Sequence, residues 1–249
     1  MLDVCLLDGY FFKSKELEFL RNKSKKIIQI DDFDNNFKYT DQTINFLSKG
    51  AENVVVSNKF FENDFFKIKK NVSNILITFG MADNTNATLL TLDAIKIIET
   101  YIKANIYISL PTRNKYYKKI RNSIFNLKNV KEVKEYNQNE FRNLLRNIDF
   151  SIGSGGVTLN EVLSMGIPVI VLATAENQKK KIYNFFEKGL INYCGLSKCT
   201  TKYKLANRIL KLYFSFSERR RMFINASFVF SKKKKKDFIF QNIIRINGK

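Results

Sequence analysis

Two short apolar runs in the second half of the chain each empty into residues that could hold a phosphorylated ligand. The first, 150–152, is followed by Gly153, Ser154, Gly155, Gly156 and Thr158, with Glu161 about one turn further along a helical pattern. The second, 167–172, ends in small residues and then in Asn177 and Gln178. Glycines at the C-terminal end of a strand admit a bound group close to the backbone, and a helix N-terminus offers it free N–H groups and a favourable dipole. Ser154 and Thr158 add hydroxyl groups. The Glu161 carboxylate can accept hydrogen bonds from sugar hydroxyls, or merely favour the helix dipole. Asn177 and Gln178 carry donors and acceptors suited to a sugar or phosphate, and could equally begin the next helix. A third turn, after the run 75–79, contains Gly80, Asp83 and Asn86, of which the last two are also natural helix caps. The three turns predict a pocket for a phosphorylated ligand, with a nucleotide favoured. They match neither a Walker loop nor the GxGxxG fingerprint.

These turns work together only if the strands before them lie parallel in one sheet. Strands are expected at 75–79, 106–110, 130–133, 150–152, 167–172 and 191–194, with helical patterns between them. That rhythm implies βαβ units with ligands bound beyond the carboxyl ends of the strands. Upstream, strands are expected at 3–7, 26–30 and 53–56, and helical stretches at 15–21 and 42–47. The fold class is α/β: a partial N-terminal α/β domain over 1–62, a complete parallel-sheet, Rossmann-like domain over 71–230, and a basic C-terminal helix over 231–249.

The chain has 249 residues, a net charge of +20 and 45% hydrophobic residues. The lysines accompany an abundance of Asn, Ile, Phe and Tyr, which favours solvated faces over a nucleic-acid surface; no recognition module accompanies the charge. No apolar run approaches the length of a membrane span, and the basic surface, densest at 232–236, implies at most a weak attraction to anionic lipid heads. The three cysteines and the absence of histidine argue against a zinc site. A cytoplasmic protein without metal or cofactor is expected, its partner a small phosphorylated molecule; oligomeric state is left open.

The block from 152 to 178, with residues 75–88 upstream, resembles the C-terminal half of GT-B proteins of the glycosyltransferase family 28 type. Within that group it looks most like the UDP-sugar hydrolases of pseudaminic acid biosynthesis, which release 2,4-diacetamido-2,4,6-trideoxy-β-L-altropyranose from UDP. The likeness rests on the Gly80–Asp83 turn, the Ser154–Thr158 turn leading to Glu161, Pro168, and the Asn177-Gln178 pair, with Asp8, Tyr10, Asp31 and Asp32 resembling N-terminal signatures. It implies uracil near the backbone at Tyr136, ribose at Glu161, diphosphate at Ser154–Thr158 and sugar at Asn177 and Gln178. The histidine-bearing Gly-rich loop of that family has no counterpart here, which leaves Asp8, or else Asp31 or Asp32, as candidates for the base, with Tyr10 as a hydrogen-bonding orienter. The expectation is an N-terminally truncated hydrolase with little turnover by itself. A UDP-sugar-dependent glycosyltransferase and a non-catalytic nucleotide-sugar-binding remnant are the alternatives.

Overall fold

The structure is a computed structural model that describes residues 1–9, 12–30, 38–44, 56–61, 68–80, 83–125, 127–134 and 136–231. Tyr10, Asp31, Asp32, residues 53–55 of the expected third strand and the basic segment 232–249 lie outside the described residues. The chain forms two compact units, Met1–Val54 and Val55–Lys249.

In the first unit three parallel strands, β1 (Cys5–Asp8), β2 (Ile27–Ile30) and β3 (Gln42–Ile44), stand in that order, with helix α1 (Ser14–Lys23) between the first two. Leu7, Leu17 and Ile27 form a small buried core against which Phe12, Leu20 and Tyr39 pack. The Asp41 carboxylate accepts from the Ile27 backbone N–H at 2.7 Å and pairs with Arg21, which fixes the approach to β3. The stretch 42–47 was expected to be helical; residues Gln42, Thr43 and Ile44 instead pair with Ile28, Gln29 and Ile30. Periodicity cannot separate the two states in so short a run, and the ladder offered by β2 decides it.

The second unit contains a six-stranded parallel sheet: β4 (Asn74–Thr78), β5 (Asn105–Ser109), β6 (Val130–Val133), β7 (Phe150–Ser154), β8 (Val169–Ala173) and β9 (Asn192–Leu196). Its order is β6-β5-β4-β7-β8-β9, so successive strands run outward from β4 and then resume on its other side. Helices α2 (Ala87–Ile98), α3 (Tyr117–Phe125), α4 (Gln138–Leu145), α5 (Val157–Ser164), α6 (Lys179–Glu187) and α7 (Lys202–Phe214) alternate with the strands, and α8 (Phe216–Ser231) follows. Central strands such as β8, reading VIVLA, are buried at every position, as a sheet covered on both faces requires. On one face Ile75, Ile77, Ile108, Phe150, Ile152 and Ile170 pack in one core with apolar residues of α2, α3 and α7. Side chains alternate along a strand, so Ser109, Ser151, Gly153 and Val171 belong to the other face.

The end of the sheet away from the C-terminal rim is tied by two buried charges. Asp149, just before β7, accepts from the backbone N–H groups of Ser73 and Asn74 at 2.7 and 2.8 Å and pairs with Lys69 at 3.3 Å. Arg219 on α8 is 0% exposed. It donates to the carbonyls of Leu212 and Tyr213 at 2.7 and 2.6 Å, and to those of Lys69 and Lys70 at 3.3 and 2.7 Å. One guanidinium thus serves the last carbonyls of α7 and the segment entering β4 together. Helix α8 itself was not anticipated as a separate element.

Candidate functional site

Because all six strands are parallel, the turns after β4, β7 and β8 share one edge of the sheet. The chain changes direction between β4 and β7, and at such a switch point the turns diverge to opposite faces and leave a crevice. The strand ends bordering it are in register, Thr78 beside Gly153. A Cβ on Gly153 would meet the Thr78 carbonyl oxygen at 2.5 Å, so only glycine allows the two backbones this approach.

The expected diphosphate turn divides its labour among its residues. A side chain on Gly155 would strike Ile182 of α6 at 2.7 Å, so this glycine serves the packing of that helix. At Gly156 a Cβ would meet only Ser154 Oγ, at 3.8 Å. Gly156 is the N-cap of α5 in extended conformation, and among the described residues no side chain caps the helix. The first N–H groups of α5, those of Val157 and the half-buried Thr158 among them, are therefore available to an anion. Ser154, half-buried, ends β7 beside them.

Glu161 stands on α5, one turn beyond those N–H groups. Its carboxylate has no hydrogen-bond or ion-pair partner among the described residues, and burial alone pushes its pKa up. Its charge reaches Tyr136, whose hydroxyl is 2.7 Å from Ser109 Oγ and whose ring stacks on Phe141 at 4.6 Å and 9°. Burial raises the Tyr136 phenol first of all, the hydroxyls of Ser109 and Thr78 counteract it, and the Glu161 charge adds to the rise. Tyr136, Thr78, Ser109 and Glu161 thus form one polar group at the rim. Thr78 and Ser109 went unnoticed in the sequence, although a signal existed. Three neighbouring strands, β5, β4 and β7, all end in hydroxyl residues: Ser109, Thr78 and Ser154.

After β8, a 3-10 turn of Glu176, Asn177 and Gln178 leads into α6. The side-chain oxygen of Gln178 accepts from Gly155 N at 3.3 Å, Thr174 N at 3.1 Å and the Thr174 hydroxyl at 3.2 Å, so Gln178 joins two rim turns. The Oδ1 of Asn177 is buried without a hydrogen-bond partner among the described residues.

The turn after β4 begins at Gly80, whose φ of +76° suits glycine. Asp83, 1% exposed, accepts from Ala87 N at 2.8 Å and from Thr88 N at 3.0 Å, so its carboxylate caps α2. Burial raises its pKa against the lowering effect of those bonds. Asn86, with φ of +54°, carries a buried Oδ1 that has no partner among the described residues. Thr85 Oγ1 accepts from Ser197 Oγ at 2.9 Å and ties this turn to the one after β9. Asp8 is the exposed last residue of β1 in the first unit. Among the described residues no group of His, Cys, Asp or Glu could hold a metal ion, and no helix is long and apolar enough to cross a membrane.

The arrangement offers an anion cradle at α5, a half-buried carboxylate beside it, and buried amide oxygens on the two flanking turns. No protein-family model matches the chain. It is 26% identical to an uncharacterized protein of Methanocaldococcus jannaschii, covering 75% of this chain and 43% of that protein. It is 22% identical to the spore coat polysaccharide biosynthesis protein SpsG of Bacillus subtilis, covering 62% of this chain and 45% of that protein. The chain therefore spans less than half the length of these curated relatives. Among solved structures, it is similar to the UDP-GlcNAc 2-epimerase of Neisseria meningitidis bound to UDP-GlcNAc, with a TM-score of 0.62 at 14% identity over 93% of this chain and 76% of that one. It is likewise similar to S. aureus MnaA in complex with UDP, with a TM-score of 0.62 at 16% identity over 88% and 68%. The fold is accordingly the GT-B-like α/β fold with parallel sheets, as the sequence led one to expect.

Proposed function

We propose that the chain binds a UDP-sugar at the crevice between β4 and β7 and that the protein is a UDP-sugar hydrolase of nonulosonic (pseudaminic) acid biosynthesis. The observation that carries the reading is the pairing, among the described residues, of an α5 N-terminus that no side chain caps with a Glu161 carboxylate that has no hydrogen-bond or ion-pair partner, one turn along the same helix. The N–H groups suit a diphosphate, and the carboxylate suits the paired hydroxyls of a ribose. Asn86 and Asn177, with buried amide oxygens, suit the donors of the sugar. In hydrolysis, water attacks the anomeric carbon, the bond from that carbon to the diphosphate oxygen breaks, and UDP departs with its charge stabilised at α5. The proton lost by the water passes to a base, a role for which the resemblance leaves the carboxylates of Asp8, Asp31 and Asp32.

The test is a melting curve with and without UDP, followed by assay of free sugar released from the UDP-linked diacetamido-trideoxy hexose. UDP is expected to raise Tm by preferential binding to the folded form, and Glu161→Ala to abolish most of that rise. An unchanged rise in the variant removes Glu161 from the site. The likeness to a polysaccharide biosynthesis protein favours a second reading, a UDP-sugar-dependent glycosyltransferase. Release of UDP only when a glycan acceptor is added would select it; binding of UDP with no turnover of either kind would select a non-catalytic binding protein.

A further inference from the structure

Helix α8 is fastened to the large unit at several points. Arg219 ties it to the end of α7 and to the segment entering β4, and Met222 belongs to the core shared with α2 and α7. Phe223 lies against Gly166 beyond α5, and the Asn225 amide donates to the Gly189 carbonyl beyond α6 at 3.1 Å. Ala226 and Phe230 are buried. The exposed residues of the helix, among those described, are Ser217, Arg220, Arg221, Ile224 and Phe228.

Residues three and four apart share a helix face, so these five form one stripe on a helix held firmly from behind. The two arginines come first along it, then Ile224 at 50% and Phe228 at 63% exposure. From Arg220 to Phe228 the stripe runs about 12 Å along the axis. A single exposed apolar residue is ordinary; two large ones a turn apart beside two guanidinium groups make a patch. The sequence then repeats the order, with five lysines at 232–236 followed by Phe238, Ile239, Phe240, Ile243 and Ile244. Cationic and large apolar side chains together suit a surface that is anionic outside and hydrocarbon just beneath. A nucleic acid would answer the arginines and leave Ile224 without a partner.

We propose that the exposed stripe of α8, reinforced by the lysines at 232–236, docks the chain on an anionic lipid surface. Arg220 and Arg221 meet the headgroups, while Ile224 and Phe228 enter the acyl boundary. Either signal alone gives a marginal hold, and the two together a stable one. The proposal is independent of the UDP-sugar reading.

The experiment is co-sedimentation of the full chain with vesicles of phosphatidylcholine, and with vesicles of phosphatidylcholine and phosphatidylglycerol in equal parts. Wild type is expected to pellet with the anionic vesicles only, and salt to weaken the binding. Each basic residue at such a surface contributes about fivefold, so Arg220→Gln with Arg221→Gln lowers partitioning about 25-fold. Ile224→Ser with Phe228→Ser lowers it about tenfold or more, and salt does not mask that loss. Phe228→Ser alone gives the same sign at smaller size, and a melting curve checks that each variant folds. Binding that both double variants leave unchanged belongs to the tail and overturns the proposal. So does loss in the arginine variant alone, the mark of an unspecific cation effect, or a wild type that ignores both kinds of vesicle. A dimer that Ile224→Ser with Phe228→Ser dissolves, while vesicle binding persists, assigns the stripe to a second copy and overturns it too. None of these outcomes touches UDP binding, so the two readings fail separately.

Discussion

Gly153 and Thr78 lie side by side at the ends of β7 and β4, so close that a methyl group on the first would overlap the carbonyl oxygen of the second. The contact is between backbones, and neither can yield without parting the central strands. Gly153→Ala is expected to destabilise the protein by about 3 kcal/mol or more, read as a fall in urea midpoint or as insoluble expression. Gly156→Ala is the counterpart: its Cβ has room, so stability changes by no more than about 1 kcal/mol. There the loss appears in UDP affinity, because the methyl group occupies the approach to α5.

Glu161 carries a signature in pH. Burial raises its folded pKa above the unfolded value. The protonated form is therefore favoured by folding, a contribution fully present below the unfolded pKa and lost as pH rises through the raised folded one. Glu161→Gln should consequently raise Tm at neutral pH, with the advantage disappearing in acid where the wild-type carboxyl is itself neutral. A ribose donating to the carboxylate reverses the shift, so UDP binding by the wild type should strengthen as pH rises through the folded pKa and then level off. The variant should bind weakly and show no such rise. Calorimetry in buffers of different ionisation heat would register the proton released.

Asp83 should behave as a cap. Both its oxygens are engaged by the first N–H groups of α2 and almost none of its surface reaches solvent. Asp83→Ala is expected to cost about 1–2 kcal/mol of stability with UDP affinity essentially unchanged. A large loss of affinity in a folded variant would assign Asp83 to the ligand instead.

Arg219→Leu removes a guanidinium that serves four carbonyl groups on two segments. The expected cost is about 3–5 kcal/mol, measured as a lower urea midpoint with little change in slope. Arg220→Leu and Arg221→Leu, at exposed positions, should each stay within about 0.5 kcal/mol of wild type.

The comparison of those three arginines shows where sequence reading stops. A run of like charges signals a solvated face, and Arg220 and Arg221 obey it, yet Arg219 is drawn inside by carbonyls contributed from about 150 residues away in sequence. The Lys179–Lys181 run repeats the lesson at the rim, where Lys181 is buried. Apolar periodicity suffices for the strands and helices of the large sheet, where each burial face is broad. It fails for β3, a three-residue strand whose state is set by its neighbour, and for α8, whose apolar residues fall on more than one side: Met222 and Phe230 are buried while Ile224 and Phe228 are exposed. At the rim, the glycine turn and Glu161 were legible because small residues and a carboxylate stand out against apolar runs. The separate duties of Gly155 and Gly156, and the use of the Gln178 oxygen as a tie between turns, depend on α6 lying behind them. No local pattern carries that information.

The arginine tie has a consequence for biosynthesis. A ribosome releases the segment around residue 70 long before residue 219 emerges, so that stretch waits through the making of six strands and six α-helices among the described residues for its anchor. Among the described residues α8 supplies that anchor, and a nascent chain stalled before it would leave the doorway to β4 unlatched and open to proteases.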